Sequence, residues 1–385
     1  MRICCITGLY PTPLYPNGGV FVTRRIAALK ALGTSVDAYA LVVKESWIMR
    51  KLRLILRRRP NEEVQDSIPT EDPSVSYHAI KVPMNMFEFA INMLVEERYF
   101  IWKAQRFMVR SIGDKRYDVI HGHWLYPTGG AVVRYAQTVN TPCLITAHGS
   151  EVHRDMRKKY RKGCLWTLEH STKAEFVSQA LLQKAKQYGY SGKNALVSPN
   201  GIDEVIPNKT KRDGCTVGYV GNLIPIKRAD QLADIFHRIQ ALKNDTHFVV
   251  IGDGTLRKQI TEETHDLDIV FTGLIPHKQV LQEMQKMDVL ILPSRNEGFG
   301  CVALEAHSCG TPVVGSNNGG IPEAIGDERL VVNESASFNA DFAQRVAEVL
   351  QGKIPFDSAA LINRAQQYTW NQLQQQELTI YRSLR

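Results

Sequence analysis

Apolar runs and polar, glycine-containing breaks alternate along this chain, and they do so in two successive sets. Arg2 to Thr7 reads as a buried strand. A turn-rich loop, Gly8 to Gly19, follows, and then helical spacing from Val20 to Leu32 that stops at Gly33. Val36 to Val43 and Ser74 to Val82 read as further strands. Met84 to Ile112 reads as one long helix with Phe87, Ile91, Leu94 and Val95 on one side. Strands running into His121-Gly122-His123-Trp124 and into Ala147-His148-Gly149, a short one at 174–177 and another at 196–197 close the first set. The second set begins at Thr216 to Val220 and continues through Phe248 to Ile251, Asp268 to Gly273, Val289 to Leu292 and Val313-Val314. Helical patterns separate these strands, and three more follow at Phe338 to Leu350, Ser358 to Tyr368 and Trp370 to Leu384. Strand–helix alternation repeated in this way predicts two parallel-sheet α/β domains with right-handed crossovers, joined near the polar stretch 207–214.

The most informative stretch is Arg295-Asn296-Glu297-Gly298-Phe299-Gly300-Cys301-Val302-Ala303-Leu304-Glu305. It lies between the strand Val289–Leu292, closed by Pro293-Ser294, and helix formers from Val302 to Ser308. Gly298 and Gly300 let backbone approach a ligand, and the free N–H groups of a helix start attract anions. Glu305, placed about two turns into that helix, offers a carboxylate to a diol such as a ribose. Lys227 follows the strand Thr216–Val220 and is expected at the start of the next helix, where a diphosphate meets a cation and backbone donors. Gly18 and Gly19 precede a helix in a strand–loop–helix layout that fits either a phosphate or a plain loop. The spacing is not that of a dinucleotide fingerprint. His121 and His123 alternate as metal ligands can, but no nearby Asp, Cys or third His completes a set, so no metal is expected.

Composition narrows the partners. Over 385 residues, 47 Lys and Arg against 39 Asp and Glu give +8, which favours anionic partners. Hydrophobic and charged contents of 44% and 22% are those of a globular chain. Seven scattered cysteines without a C-x-x-C pair read as reduced thiols. No apolar run reaches a membrane span, and the first residues lack a secretory pattern. A cytoplasmic chain, peripheral on the inner face of the membrane, is the expectation. Lys44 to Pro60 concentrates Lys44, Arg50, Lys51, Arg53, Arg57, Arg58 and Arg59 around Trp47, Ile48, Leu52, Ile55 and Leu56. It suits an anionic membrane surface or a solvated basic helix. No nucleic-acid motif accompanies it.

The E-(seven residues)-E stretch from Glu297 to Glu305 resembles the signature of glycosyltransferase family 4, and other segments agree: His148-Gly149-Ser150-Glu151, Pro199-Asn200-Gly201, Gly252-Asp253-Gly254 and Gly319-Gly320-Ile321-Pro322-Glu323. The resemblance implies a GT-B fold, two Rossmann-like doubly wound parallel-sheet domains facing across a cleft. Residues 1–203, with a returning C-terminal helix at 366–385, would form the acceptor side, and residues 204–365 the donor side. It implies retaining transfer from a nucleotide diphosphate sugar, most commonly UDP-linked, without metal or other cofactor. By that resemblance His148 and Glu297 are catalytic. Gly18, Gly19, Asn222, Lys227, Arg228, Gly252, Leu274, Gly298, Phe299, Gly300 and Glu305 bind the donor. Asn222 stands where the family carries Arg, and Arg228 where it carries Gly, so Arg228 is expected to supply the missing charge. The basic segment points to a lipid-linked saccharide acceptor in envelope polysaccharide assembly. A nucleotide-sugar epimerase of similar fold and a non-catalytic membrane-associated binding protein are the alternatives.

Overall fold

The computed structural model describes residues 1–12, 18–55, 64–203, 205 and 215–385. The chain divides into two units, Met1–Pro199 with Leu373–Arg385, and Asn200–Gln372. The first break falls at Pro199 rather than at 203, and the second at Leu373 rather than at 366.

Unit 1 is built on eight strands: β1 (Arg2–Thr7), β2 (Ser35–Glu45), β3 (Ser67–Pro69), β4 (Ser76–Met84), β5 (Val119–His123), β6 (Cys143–Ala147), β7 (Lys173–Phe176) and β8 (Ala195–Val197). Their spatial order is β3-β4-β2-β1-β5-β6-β7-β8. Every pair is parallel except β3 with β4, so the sheet is not purely parallel as the pattern suggested. β3 lies in a stretch whose polarity reads as loop. The burial of Ile68 in the core recruits it as a short antiparallel edge. β5 and β6 are buried at every position and β1 at every position but Arg2, as central strands covered on both faces are.

Helices α1 (Val20–Ala31), α2 (Trp47–Ile55), α3 (Met86–Leu94), α4 (Arg98–Ile112), α5 (Gly130–Thr138), α6 (Arg161–His170) and α7 (Gln179–Gln187) complete the crossovers. The helix expected over Met84–Ile112 is two helices. Asn85 and Glu88 form a reciprocal capping box that starts α3. Glu96 and Glu97 then take positive φ values of 52° and 67°. Buried Asn92 holds the break, accepting from the Phe100 N–H at 2.8 Å and donating to Glu97. α4 buries Phe100, Ile101, Ala104, Met108 and Ile112, whereas Phe87 and Leu94 of α3 stay outside the core. The basic segment also differs from expectation. Lys44 belongs to β2, the helix is Trp47–Ile55, and Arg57, Arg58 and Arg59 lie outside the described residues.

Unit 2 has six parallel strands, β9 (Cys215–Val220), β10 (Thr246–Ile251), β11 (Ile269–Gly273), β12 (Val289–Leu292), β13 (Val313–Ser316) and β14 (Val331–Val332). Their order, β11-β10-β9-β12-β13-β14, is that of a doubly wound sheet whose direction reverses between β9 and β12. Around it lie α8 (Leu232–Leu242), α9 (Arg257–Glu263), α10 (His277–Met284), α11 (Cys301–Ser308), α12 (Ile321–Ile325), α13 (Phe338–Leu350) and α14 (Ser358–Gln366). The last helix, α15 (Trp370–Ser383), starts in unit 2. From Leu373 on it belongs to unit 1, where Leu378 and Tyr381 join the core of Ile3, Ile26, Val36, Val119 and Leu144.

Candidate active site

Ligands of doubly wound sheets sit beyond the carboxyl ends of the strands, where the strand order reverses. In unit 2 that point lies between the loops that follow β9 and β12, and these loops carry Lys227 and Glu297. The two side chains form an ion pair, Lys227 Nζ to Glu297 Oε1, and Ser294 Oγ donates to the same oxygen at 3.1 Å. Lys227 is not at a helix start. It ends a short 3₁₀ turn, Pro225–Lys227; Arg228 takes φ 57°, a second turn covers Ala229–Gln231, and α8 begins only at Leu232. The positive φ at Arg228 is the physical reason, because it interrupts helical hydrogen bonding just where the chain reverses.

The strand-to-helix turn is as expected. Gly300 takes φ 96° as the residue before α11, a conformation open to glycine at little cost. The loop at 319–320 lies against this turn: a side chain added at Gly319 would sit 2.0 Å from the Glu297 carbonyl oxygen, and one at Gly320 2.6 Å from that of Gly298. The GG-x-PE segment is thus packed onto the EGFG segment, and the two form one built surface. α11 has eight residues, so Glu305 is one turn inside it rather than two. Its Oε1 meets His277 Nε2 at 3.0 Å, while His277 Nδ1 lies 3.5 Å from Asp203 Oδ2. Asp203 closes the Pro199-Asn200-Gly201 segment already noted, whereas His277 was not singled out in the sequence. The signal was present, since His277 opens α10 three residues after Leu274, itself a candidate.

Three assigned side chains do something else. Arg228 is buried: its Nε donates to the Pro293 carbonyl at 2.8 Å, its Nη2 pairs with Glu334, and its guanidinium lies 3.7 Å from the Phe338 ring centroid. It braces the loop after β12, and its guanidinium is already engaged there. Phe299 is buried too, with its ring 5.8 Å from that of Tyr368, so only its backbone remains for a ligand. Asn222 is exposed and its carbonyl accepts from the Tyr219 hydroxyl at 3.0 Å. Gly252 sits where a side chain would lie 2.1 Å from the Gly221 carbonyl oxygen, which makes it a spacer between the loops after β9 and β10. Leu274 follows β11 and is 71% exposed, an apolar side chain without a core role.

In unit 1, His148 directly follows β6. Its Nε2 lies 3.1 Å from His123 Nδ1, the two rings stack at 5.3 Å, and Phe21 and Trp124 pack at 4.6 and 4.8 Å. Glu151 accepts from the His148 backbone N–H at 2.8 Å, so the acidic member of the motif shapes the turn. His148 Nδ1 is buried without a partner among the described residues. Burial and then Arg25 push the His148 imidazole well below the usual histidine range, so it is neutral. Phe21 belongs to α1, which Gly18 and Gly19 precede, so the glycine loop enters the helix that packs on His148.

The third histidine that sequence proximity did not provide is therefore supplied by the fold. His121 leads elsewhere. Its Nδ1 meets the Tyr381 hydroxyl at 2.7 Å and its Nε2 Thr146 Oγ1 at 2.7 Å. His121, Glu175 and Glu377 hold three ligand-type atoms within 4.8 Å of one another, all buried. The Arg25 Nη1, 2.6 Å from Glu175 and 3.4 Å from Glu377, already supplies the cation there. A metal would have to displace that guanidinium, so the donor set fits an ion-pair cluster better. Burial pushes the Glu377 carboxyl up to about 7 against the pull of Arg25.

Two family models match this chain, "Glycosyltransferase Family 4" over residues 70–205 and "Glycosyl transferases group 1" over residues 214–352. A putative teichuronic acid biosynthesis glycosyltransferase of Bacillus subtilis is 27% identical over 91% of this chain and 88% of its own. An uncharacterized glycosyltransferase of Methanocaldococcus jannaschii is 30% identical over 66% of this chain and 71% of its own. Among solved structures, Anabaena HepE in complex with UDP superposes with a TM-score of 0.68 at 18% identity, covering 100% of each chain, which speaks to fold alone. The two sheets, the E-(seven residues)-E turn at the strand-order reversal and these relatives lead to one conclusion: the chain belongs to the group 1, family 4 glycosyltransferases of the GT-B fold.

Proposed function

We propose that this glycosyltransferase moves a hexosyl unit from a UDP-sugar, with retention at the anomeric carbon, to a lipid-linked saccharide in cell-envelope polysaccharide synthesis. The observation that carries the reading is the Lys227–Glu297 pair at the reversal of the unit 2 sheet. A lysine paired with a carboxylate at an open loop is ready to exchange that partner for a diphosphate. Its charge, with loop N–H groups, stabilises the leaving diphosphate, and one preorganised donor of this kind is typically worth about 3–4 kcal/mol. Glu297 then orients Lys227 and accepts from donor-sugar hydroxyls, alongside the backbone of Gly298, Phe299 and Gly300. Glu305, held by His277, accepts from the ribose, and exposed Leu274 covers a face of the base. Asn222 and Gly252 border the same loops, and Gly18 and Gly19 precede the helix whose Phe21 packs on His148 in unit 1. His148 is neutral and has one ring nitrogen without a partner among the described residues, the state needed to hold a sugar hydroxyl near the reacting carbon. No carboxylate is assigned as a nucleophile, so leaving-group departure and attack on one face is the route proposed.

The UDP choice draws support from HepE, whose structure contains UDP, and the envelope role from the teichuronic acid relative. Thermal stabilisation against UDP-, GDP- and ADP-sugars, with and without EDTA, tests the donor. A shift with UDP-sugar alone, unchanged by EDTA, supports a metal-independent UDP-sugar transferase. A shift with GDP or ADP only reassigns the base, and a shift abolished by EDTA overturns the metal-free reading.

A further inference from the structure

We infer that unit 1 carries a docking surface for an anionic lipid bilayer, formed by α3, by α2 beside it and by the basic turn at 154–162. Strands β2 and β4 pair side by side to their ends, Lys44 opposite Pro83 and Glu45 opposite Met84, and the Ser46 N–H bonds the Met84 carbonyl at 3.2 Å. α2 starts at Trp47 and α3 at Met86, so both helices leave the carboxyl end of the sheet from neighbouring strands. Both are poorly covered. On α3, Phe87 is 76% exposed, Met93 66% and Leu94 82%, and on α2 Trp47, Ile48, Leu54 and Ile55 are at least half exposed. A cluster of this kind marks an interaction surface rather than scattered apolar positions.

The third element was not singled out in the sequence. Arg154-Asp155-Met156-Arg157-Lys158-Lys159-Tyr160-Arg161-Lys162 holds six basic residues against one acidic, and that Asp155 pairs with Arg154. Lys159 Nζ bonds the Met93 carbonyl at 2.8 Å and so fixes this turn to the last turn of α3. Arg157, Lys158 and Lys162 are exposed beside it, and on α2 the Lys51 ammonium lies 4.9 Å from the Trp47 ring centroid. Apolar side chains flanked by a surplus of cations match the boundary between acyl chains and anionic headgroups. A second copy of the chain fits less well, because a two-fold contact would bring each basic turn against the same surface of its partner. No described helix is long and apolar enough to cross a membrane, so this contact would lie in the interface plane.

The inference extends the lipid-linked acceptor reading. Its test uses neither donor nor acceptor, so the two fail separately. The full chain is sedimented with vesicles of phosphatidylcholine alone or of phosphatidylcholine mixed with phosphatidylglycerol, at low and physiological salt. Binding is expected only with phosphatidylglycerol, and weaker in salt. Phe87→Ser with Leu94→Ser should lower partitioning roughly tenfold or more. Lys158→Gln with Lys162→Gln should lower it roughly fivefold per charge. Both pairs should keep the wild-type melting temperature, since all four side chains are exposed. Wild type that ignores both vesicles, or variants that bind as wild type does, would overturn the inference. So would a solution dimer that the Phe87/Leu94 variant dissolves while vesicle binding is unchanged.

Discussion

Each unit holds charged groups in contact, and the two sets are built differently. In unit 1, Arg25, Glu175 and Glu377 are almost completely shielded from solvent and tied to Thr146, His121 and Tyr381. In unit 2, the Lys227 and Glu297 side chains keep 25% and 13% of their exposure, and those of His277 and Glu305 keep 32% and 18%. A buried pair cannot lose a partner without leaving an uncompensated charge, whereas a partly open pair exchanges its partner for a ligand at modest cost. The first set therefore belongs to the stability of the fold and the second to binding, although both would look alike as Lys or Arg near Glu in the sequence.

The largest effect expected of that distinction is on stability. Glu377→Ala should lower the unfolding free energy by about 3–5 kcal/mol, read by chemical denaturation, and leave nucleotide affinity unchanged. If the loss were below about 1 kcal/mol, the cluster would not be the clamp described. Lys227→Ala should do the reverse, cutting kcat roughly 10²–10³-fold in a transfer assay with an unshifted melting temperature. Acid should then separate the units. His121, His123 and His148 in unit 1 and His307 in unit 2 are all held below the usual histidine range, by burial first. They stay neutral in the fold but take up protons when unfolded below about pH 6.5, so stability falls as pH falls through that point, by up to about 1.4 kcal/mol per group per pH unit. The carboxyls of Glu377 and Glu151, raised by burial, act oppositely and offset part of this in unit 1. Hydrogen exchange at pH 7 and pH 5.5 should show unit 1 opening first, and equal protection would mean the offset is complete. The smallest effect is at Leu274. Leu274→Ser should raise the donor KM roughly fivefold with kcat unchanged, as loss of one apolar contact to the base requires.

Much of this was legible before any coordinates. The alternation of strands and helices is local, and local periodicity located nearly every strand and the helices over 338–350 and 370–383. The turn from Glu297 to Glu305 was legible because its strand, glycines and helix lie within one short segment. What failed was non-local. The break at Glu96 and Glu97 depends on Asn92 reaching Phe100, which no apolar period reveals. Arg228 looked like a spare cation until Glu334, 106 residues on, and Phe338 claimed it. His277 was passed over because its partners, Asp203 and Glu305, lie far away on both sides in the chain.

The position of Glu377 has a consequence for the chain during synthesis. It is 352 residues from Arg25, and the strands of unit 1 are all made before unit 2 begins. At about 5–20 residues per second a ribosome needs roughly 20–70 s to cover that distance. For most of that interval Arg25 and His121 have both been made while the helix that seals them has not. The first half of the protein thus waits for its last few turns. A nascent chain stalled or truncated before Glu377 would present an open seam in unit 1 to chaperones and proteases, however well unit 2 had folded.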